Sequence, residues 1–305
     1  MYTTGQEGQR GTRGEVPAVF RSGNSEGEGG NMRRGLIWLV MVVAAVAPAF
    51  GAPIQVNLNS ATSFGLLGST ISNTGTSSVA GNVGATTTIT GFPPATATGT
   101  VYPAPSNPTV ATAYSDFESA FNAAALLPST QSLGGLTTST TFLGNNVYTF
   151  TSPNISTATG INLTFNAQSN PNAVFIIRIA DALTVNGAMT FTLQNGAQAS
   201  NIFWIVGTIA TISVGSSGAI TFDGNVLAGQ SFTMSAATGG SGVLAGTING
   251  CVFAETANTL AGETDVEGCS STTASGITPE PGSAGLMSFG LLLGILAWRK
   301  LRVSF

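Results

Sequence analysis

A short repeated unit in the middle of the chain constrains the fold more than any other sequence feature. The unit reads Thr, then an apolar residue, then Asn or Ser, and its three copies recur at unequal intervals along the chain. Unequal spacing of this kind is expected where each copy is one strand of a successive coil and the loops between coils vary. Because side chains alternate along a strand, the apolar residue is predicted to point inward and its polar neighbours outward. The units are Thr184–Asn186, Thr211–Ser213 and Thr233–Ser235. The open alternative is an ordinary β-branched surface of an all-β protein.

Short apolar runs broken by Gly, Asn, Thr and Ser predict further strands, and one segment predicts a helix. Thr109 to Leu127 carries apolar residues at a period of 3.6 and lies between Pro108 and Pro128, which predicts a single amphipathic helix of about five turns. The predicted strands are Val56–Leu58, Phe64–Leu67, Ala173–Ile179, Ile202–Val206 and Val226–Ala228.

Charged residues are scarce, at 7% of 305 residues against about 25% in an average globular protein. Residues 53–278 contain eight acidic side chains but one basic side chain, Arg178, for a net charge of −7. Such a body repels phosphate backbones, which excludes a nucleic-acid-binding protein. Histidine is absent, which removes the commonest general base and the commonest metal ligand.

These residues also argue against an enzyme. Some β-solenoids cleave acidic polysaccharides, but that chemistry needs clustered carboxylates for Ca²⁺ and a basic residue for proton abstraction. Here Arg178 sits inside an apolar run, and the acids are scattered. Asp181 and Asp223 are interpreted as turn or cap residues. We therefore predict no catalytic residues, no metal site and no cofactor.

The N-terminal region has the three parts of a secretory signal peptide. Basic residues at 33 and 34 precede an apolar run from Leu36 to Val46 and a small-residue stretch ending at Ala52. We predict a signal peptide at 32–52, cleaved between Ala49 and Pro53. A transmembrane anchor is the alternative, although the apolar run is shorter than the roughly 20 residues of a span. Residues 1–31 are polar, Gly-rich and patternless, and we expect a disordered extension that lies upstream of a start at Met32 or forms a long n-region.

The C-terminal residues 279–305 carry a Pro-Glu-Pro triplet, an almost wholly apolar stretch and a basic end. This order resembles the PEP-CTERM sorting signal of Gram-negative bacteria, which an exosortase reads and removes. The resemblance implies an extracellular protein, secreted or held at the cell surface, with 271–278 as a linker and roughly 53–278 as the mature chain. In an oxidising compartment Cys251 and Cys269, the only cysteines, are expected to form a disulfide. A reactive thiol or metal pair is the alternative, and it lacks further ligands.

Several longer motifs resemble the DUF3494-type ice-binding proteins of bacteria and fungi. They occur in order over about 58–269, and they include 58–75, 81–84, 89–94, 171–176, 195–199, 201–204 and 224–228. The resemblance implies a discontinuous right-handed β-solenoid of triangular section at 53–270, with one long helix alongside. It also implies adsorption to ice through one flat face. We further predict that residues 56–107 fold back beside the C-terminal coils and cap them.

The repeated units supply the candidate ice-binding residues. They are Thr184, Asn186, Thr211, Ser213, Thr233 and Ser235, with Thr208 and Thr247 as edge members. The units depart from the Thr-Ala/Gly-x-Thr/Asn pattern of the family, which indicates a less regular face. The competing hypothesis is an extracellular matrix or adhesion protein that binds exopolysaccharide. An exposed aromatic platform would favour it, with Tyr102 and Tyr148 as candidates, whereas Trp204 is expected in the core.

Overall fold

The computed structural model describes residues 54–157, 160–187, 189–214, 218–235 and 244–269. The predicted extension (1–31), signal peptide (32–52), linker (271–278) and sorting tail (279–305) lie outside these residues. Where the chain is described, none of its helices has the length and apolar character needed to cross a membrane.

The described chain is mainly β-strand, with one α-helix, α1 (Pro108–Ala125), and 3-10 helices at Asn59–Ser63 and Ala199–Asn201. The strands are β1 (Phe64–Thr74), β2 (Ser78–Val79), β3 (Asn82–Thr90), β4 (Thr96–Ala97), β5 (Gln131–Leu133), β6 (Thr140–Leu143), β7 (Asn146–Phe150), β8 (Ile155–Ser156), β9 (Ile161–Asn166), β10 (Phe175–Ile179), β11 (Leu183–Asn186), β12 (Met189–Gln194), β13 (Ile202–Val206), β14 (Ile209–Ser213), β15 (Ile220–Asp223), β16 (Asn225–Ala228), β17 (Ser231–Ser235), β18 (Leu244–Asn249), β19 (Val252–Ala261) and β20 (Glu263–Val266).

Through the central coils, strands three apart in sequence pair in parallel, so each coil contributes one strand to each of three surfaces. The first surface, the helix face, contains β5, β7, β10, β13 and β16. The second, the hydroxyl face, contains β8, β11, β14 and β17. The third, the acidic face, is formed by two separate sheets: β6, β9 and β12, and then β15, β18, β20, β2 and β4. Its acidic residues, Asp223, Glu263 and Asp265, all belong to the second of these sheets. This repeated parallel connection is that of a β-solenoid, and it confirms the predicted class of mainly β with one helix.

Three long strands run across two of these surfaces. β19 pairs with β16 through its first residues and with β17 through its later ones. β1 pairs along its length with β19, and its other edge pairs with β3. The register of β1 shifts between Gly68 and Thr70, which marks the corner between the helix face and the hydroxyl face. The N-terminal strands therefore stack on the C-terminal coils, so the predicted fold-back of this segment is present.

The interior is filled by inward-pointing residues of all three surfaces. Val185, Ile212 and Met234, the central residues of the three repeated units, are fully buried, as predicted from alternation. Trp204 is also fully buried, and its indole N–H donates to the carbonyl oxygen of Asp223 at 3.0 Å. The predicted inward set and the core position of Trp204 are confirmed.

Helix α1 covers the helix face. Its buried residues include Val110, Phe117 and Phe121 and follow the predicted stripe. They pack against side chains such as Phe203 and Phe253 of the strands below. The helix begins at Pro108, one residue before the predicted start, because proline fits the first helical turn. It ends at Ala125, before the predicted Leu127, because the residue preceding Pro128 disfavours helical backbone.

The predicted strand at Val56–Leu58 is wrong. Residues 56–58 form no strand but lead into the 3-10 helix that follows, and their apolar side chains pack with the helix cluster rather than in a sheet. A run of three residues is too short to specify a strand when its apolar side chains can pack against the helix cluster instead.

Cys251 and Cys269 form the predicted disulfide over a separation of 18 residues.

Candidate functional site

A column of hydroxyl side chains runs along the centre of the hydroxyl face. The repeated units pair in register, with Thr184 opposite Thr211 and Thr211 opposite Thr233. The column continues in both directions through residues that the repeat did not reveal. In order, it contains Ser156, Thr184, Thr211, Thr233, Thr259, Ser72 and Thr90.

Two further columns flank the central one on the same face. One contains Asn186, Ser213 and Ser235 in register. The other contains Ile209, Ser231, Ala257, Thr70 and Thr88. Neighbouring coils are separated by about 4.8 Å and alternate residues of one strand by about 6.7 Å, so the columns form a two-dimensional grid.

Sequence reasoning missed four members of the central column because no local pattern places them there. Ser72 and Thr90 are far in the sequence from the units they extend, and they reach them through the pairing of β1 with β19 and β3. Thr259 is followed by Leu260 and Ala261, so it lacks the Asn or Ser that ends each repeated unit, and Ser156 ends a very short strand. The alternation of polar and apolar residues in 70–74 is the one signal that could have added β1.

The central threonines are available to solvent for hydrogen bonding. Among the described residues, no protein group bonds to the hydroxyls of Thr184, Thr211, Thr233 and Thr259, and each is half-buried. The rigid χ1 of threonine holds its methyl and hydroxyl groups in a fixed direction. No acidic, basic or aromatic side chain belongs to the three columns as the described strands define them. The face is therefore an uncharged array of ordered hydroxyl and methyl groups.

The acidic face has a different chemistry. Its polar groups bond to one another: Ser78 Oγ donates to Asp265 Oδ1 at 2.7 Å, and Asn249 Nδ2 donates to Asp223 Oδ1 at 2.6 Å. Asp223 is 6% exposed, and this burial raises its pKa, an effect that the bond from Asn249 partly opposes. The partly exposed carboxylate of Asp265 orients nearby water by charge, which the neutral side chains of the hydroxyl face do not do.

The structure separates the two predicted edge residues from the residues of the repeated units. Thr247 is on β18, opposite Thr221 and Asp265, and so belongs to the acidic face. Thr208 lies at the corner before β14, where its hydroxyl donates to Asp181 Oδ1 at 2.6 Å. That bond supports the interpretation of Asp181 as a turn residue.

Neither predicted aromatic platform is exposed. Tyr148 is 4% exposed and its hydroxyl contacts the backbone of Leu143, so it belongs to the core. Tyr102 is half-buried, with its ring 5.6 Å from that of Phe64. The expectation that these tyrosines could form a glycan platform is wrong, because each ring fills a space in the apolar packing. Within the described ranges, no three His, Cys, Asp or Glu residues gather in a way that could hold a metal ion.

Comparison with known proteins gives a family for this architecture. The model of the family described as "Ice-binding-like" matches residues 66–265, about two thirds of the chain. That range contains β8, β11, β14 and β17 and every residue of the three columns on the hydroxyl face.

The similar proteins are named ice-binding proteins. The chain is 37% identical over 180 residues to an ice-binding protein of Nostoc sp. (strain HG1), covering 58% of this chain and 63% of that one. It is 34% identical over 152 residues to an ice-binding protein of Flavobacterium frigoris (strain PS1), covering 49% of each. The chain thus spans about half to two thirds of these relatives. The crystal structure of an ice-binding protein from Antarctomyces psychrotrophicus superposes with a TM-score of 0.60 at 30% identity, covering 70% of this chain and 98% of that one.

Proposed function

Since this chain belongs to the ice-binding-like family, we propose that it adsorbs to ice through its hydroxyl face. The observation that carries the proposal is the central column of Thr and Ser residues, in register on an uncharged surface. Regularly spaced hydroxyls can hydrogen-bond an ordered water layer, while the threonine methyls exclude disordered water from between them. Adsorbed protein would then stop the growth of the crystal beneath it.

The site residues of this proposal are Thr184, Asn186, Thr211, Ser213, Thr233 and Ser235, extended by the neighbouring members of the central column. Thr208 and Thr247 are left out because of their places at a corner and on the acidic face. This assignment predicts that a bulky side chain in the central column disturbs ice adsorption more than the same side chain on another surface.

The test compares Thr211→Tyr with Thr164→Tyr. Both threonines are half-buried and central in three in-register threonines, Thr211 on the hydroxyl face and Thr164 between Thr141 and Thr192 on the acidic face. Thermal hysteresis and ice recrystallisation are measured with the purified protein. We expect activity in the wild type and in Thr164→Tyr, and a loss of most activity in Thr211→Tyr, with circular dichroism unchanged in all three.

No effect of folded wild type on ice would overturn the proposal and leave the competing function, a matrix or adhesion protein that binds exopolysaccharide. Equal losses in the two variants would instead show that the hydroxyl face is not the adsorbing surface. A Thr247→Tyr variant that loses activity would move the site to the acidic face.

We also propose that the protein is non-catalytic, exported and processed at both ends. The signal-peptide pattern at 32–52 and the Pro-Glu-Pro tail at 279–305, a substrate pattern of exosortases, support export. The expected mature chain is roughly 53–278, the product of both cleavages, and it contains the solenoid domain of 53–270. Intact-mass spectrometry of protein from the culture medium and cell surface tests this, and a full-length mass would contradict it.

The hand of the solenoid is a further part of the proposal. Parallel strands joined by a crossover are right-handed in about 98% of cases, which supports a right-handed winding of triangular section. An experimental crystal structure of the protein decides this point.

A further inference from the structure

A cavity lies on the helix face, away from the hydroxyl face. Its volume is about 410 Å³, and it is bounded by the end of α1 and by β7, β10 and β13. Its walls are mainly apolar, with Phe121, Phe150, Ile179 and Ile205 among the lining residues. The volume is enough for a small organic molecule.

Arg178 also lines this cavity, and it is the one basic side chain between residues 54 and 269. Its Nη1 donates to the carbonyl oxygens of Ala125 and Leu127, at 2.6 and 2.5 Å, just where α1 ends. These bonds satisfy free carbonyls at the helix terminus and place the cation at the negative end of the helix dipole. Arg178 therefore has a structural role that uses one of its terminal nitrogens.

The other edge of the guanidinium is unused within the described chain. A guanidinium has five N–H donors, and the carbonyl oxygens of Ala125 and Leu127 account for both protons of Nη1. No described carboxylate or carbonyl accepts from Nε or Nη2. That Nε and Nη2 edge presents two parallel N–H bonds, the geometry that a carboxylate accepts in bidentate fashion.

We propose that this cavity binds a small organic monocarboxylate whose body is apolar. The carboxylate would pair with the Nε and Nη2 edge of Arg178, and the body would lie against Phe121, Phe150 and Ile205. A single charge is favoured because the cavity supplies one cation, and a second negative charge would be desolvated among apolar walls without a partner.

The one hydroxyl side chain among the described residues that line the cavity does not favour a different ligand. Thr149 lines the cavity, but its Oγ1 is 2.7 Å from Ser129 Oγ, so it already has a partner. A sugar would bring several hydroxyls into a space that offers few polar groups to bond them, which costs free energy. The walls thus favour a hydrocarbon or aromatic body over a carbohydrate.

The experiment titrates benzoate into the full ¹⁵N-labelled chain and follows the amide signals of 149–150, 178–180 and 205–207. We expect saturable shifts confined to these residues, and about tenfold or more weaker binding of benzyl alcohol, which has the ring without the charge. Inorganic phosphate is titrated in parallel and should leave the same signals unshifted. Equal binding of phosphate or benzyl alcohol would overturn the chemistry proposed for the ligand.

Two variants separate binding from folding. Arg178→Met removes the cation and is expected to weaken benzoate binding about tenfold or more, but it also removes the bonds at the end of α1. Ala180→Trp keeps those bonds and fills the cavity from an exposed lining position, so it should abolish binding in a folded protein. Unchanged affinity in Ala180→Trp, or no shifts in the wild type at about 10 mM benzoate, would overturn the proposal.

Discussion

Single side chains on the solenoid differ in function according to the surface on which alternation places them. Thr211 and Asp223 are close in the sequence, yet one belongs to a neutral hydroxyl array and the other is a buried carboxylate behind the acidic face. Burial raises the pKa of Asp223, so the folded protein holds that proton more tightly than the unfolded chain does. The ionised carboxylate therefore costs stability at neutral pH, and this cost is relieved as the pH falls through the raised pKa.

At this scale we predict that Asp223→Asn stabilises the protein at pH 7. The amide keeps an Oδ1 that accepts from Asn249 Nδ2 and carries no charge to desolvate. The stabilisation relative to wild type should shrink as the pH falls toward about 4, the carboxyl pKa of an unfolded chain. Urea unfolding of both proteins across this range measures it, with Glu267→Gln at an exposed position as the control for loss of one negative charge. If the stabilisation by Asp223→Asn did not change with pH, the raised pKa of Asp223 would not be its cause.

Helix α1 is stabilised by hydrogen bonds at both of its ends as well as by the burial of its apolar side chains. Asn107 Oδ1 accepts from the backbone N–H groups of Thr109 and Val110, at 3.0 and 3.4 Å. At the other end Arg178 bonds to the last carbonyls. Between them, Tyr114 ties the helix to β19 by donating to the carbonyl oxygen of Glu255 at 2.6 Å, and burial with the nearby Glu118 and Glu255 raises the pKa of this phenol to about 12.

For the helix we predict that Asn107→Ala lowers the free energy of unfolding by about 1 kcal/mol, because two amide groups of the first turn lose their acceptor. Asn122→Ala is the matched control, since Asn122 is exposed in the same helix and alanine has the higher helix propensity. Urea unfolding should therefore show a loss in the first variant and none in the second. Equal changes in the free energy of unfolding of the two variants would mean that the Asn107 side chain does not stabilise the helix as an N-cap.

On the scale of the whole molecule, the solenoid closes by bringing its first strands to its last coils. β1 pairs on both edges, with β19 and with β3, although β19 lies near the opposite end of the described chain. The disulfide ties Cys269, at the end of the described chain, to Cys251 beside β19. Both features protect the C-terminal coils from edge pairing with other molecules.

We predict that the amides of β1 exchange with solvent as slowly as those of β19, since both strands are internal. β8, the last strand of the hydroxyl face, should exchange faster because it pairs with β11 alone among the described strands. Hydrogen exchange followed by mass spectrometry measures this order. Rapid exchange throughout 64–74 would show that the N-terminal strands do not cap the solenoid.

Removal of the disulfide is the second prediction at this scale. A Cys251→Ser, Cys269→Ser double variant should unfold with a free energy about 3 kcal/mol below that of wild type, because the unfolded chain regains the entropy of the closed loop. Urea unfolding in the absence of reductant measures the difference, and wild type in reductant provides the comparison. Equal free energies of unfolding in the double variant and in oxidised wild type would mean that the disulfide does not stabilise the fold.

Much of this protein could be derived from its residues because the relevant signals are local. Alternation in the units at 184–186, 211–213 and 233–235 predicted which side chains point outward, and the helical period of apolar residues predicted α1. The pairing of those three units also followed from their similarity, since repeated units stack on one another. Local pattern did not suffice where the signal was short, as in 56–58, or where a tyrosine's surroundings depended on distant residues.

Tertiary structure alone decided the extent of the hydroxyl face and its separation from the acidic face. Thr259 joins the central column through the pairing of β19 with β17, and Ser72 and Thr90 join it through the pairing of β1 with β19 and β3. Thr247 is excluded because β18 belongs to another sheet. The same holds for the cavity beside Arg178, which exists only where α1 ends over β7, β10 and β13. The physical reason is that side-chain direction is set by the backbone close by in the sequence, whereas the neighbours of a surface position are set by which coils stack beside it.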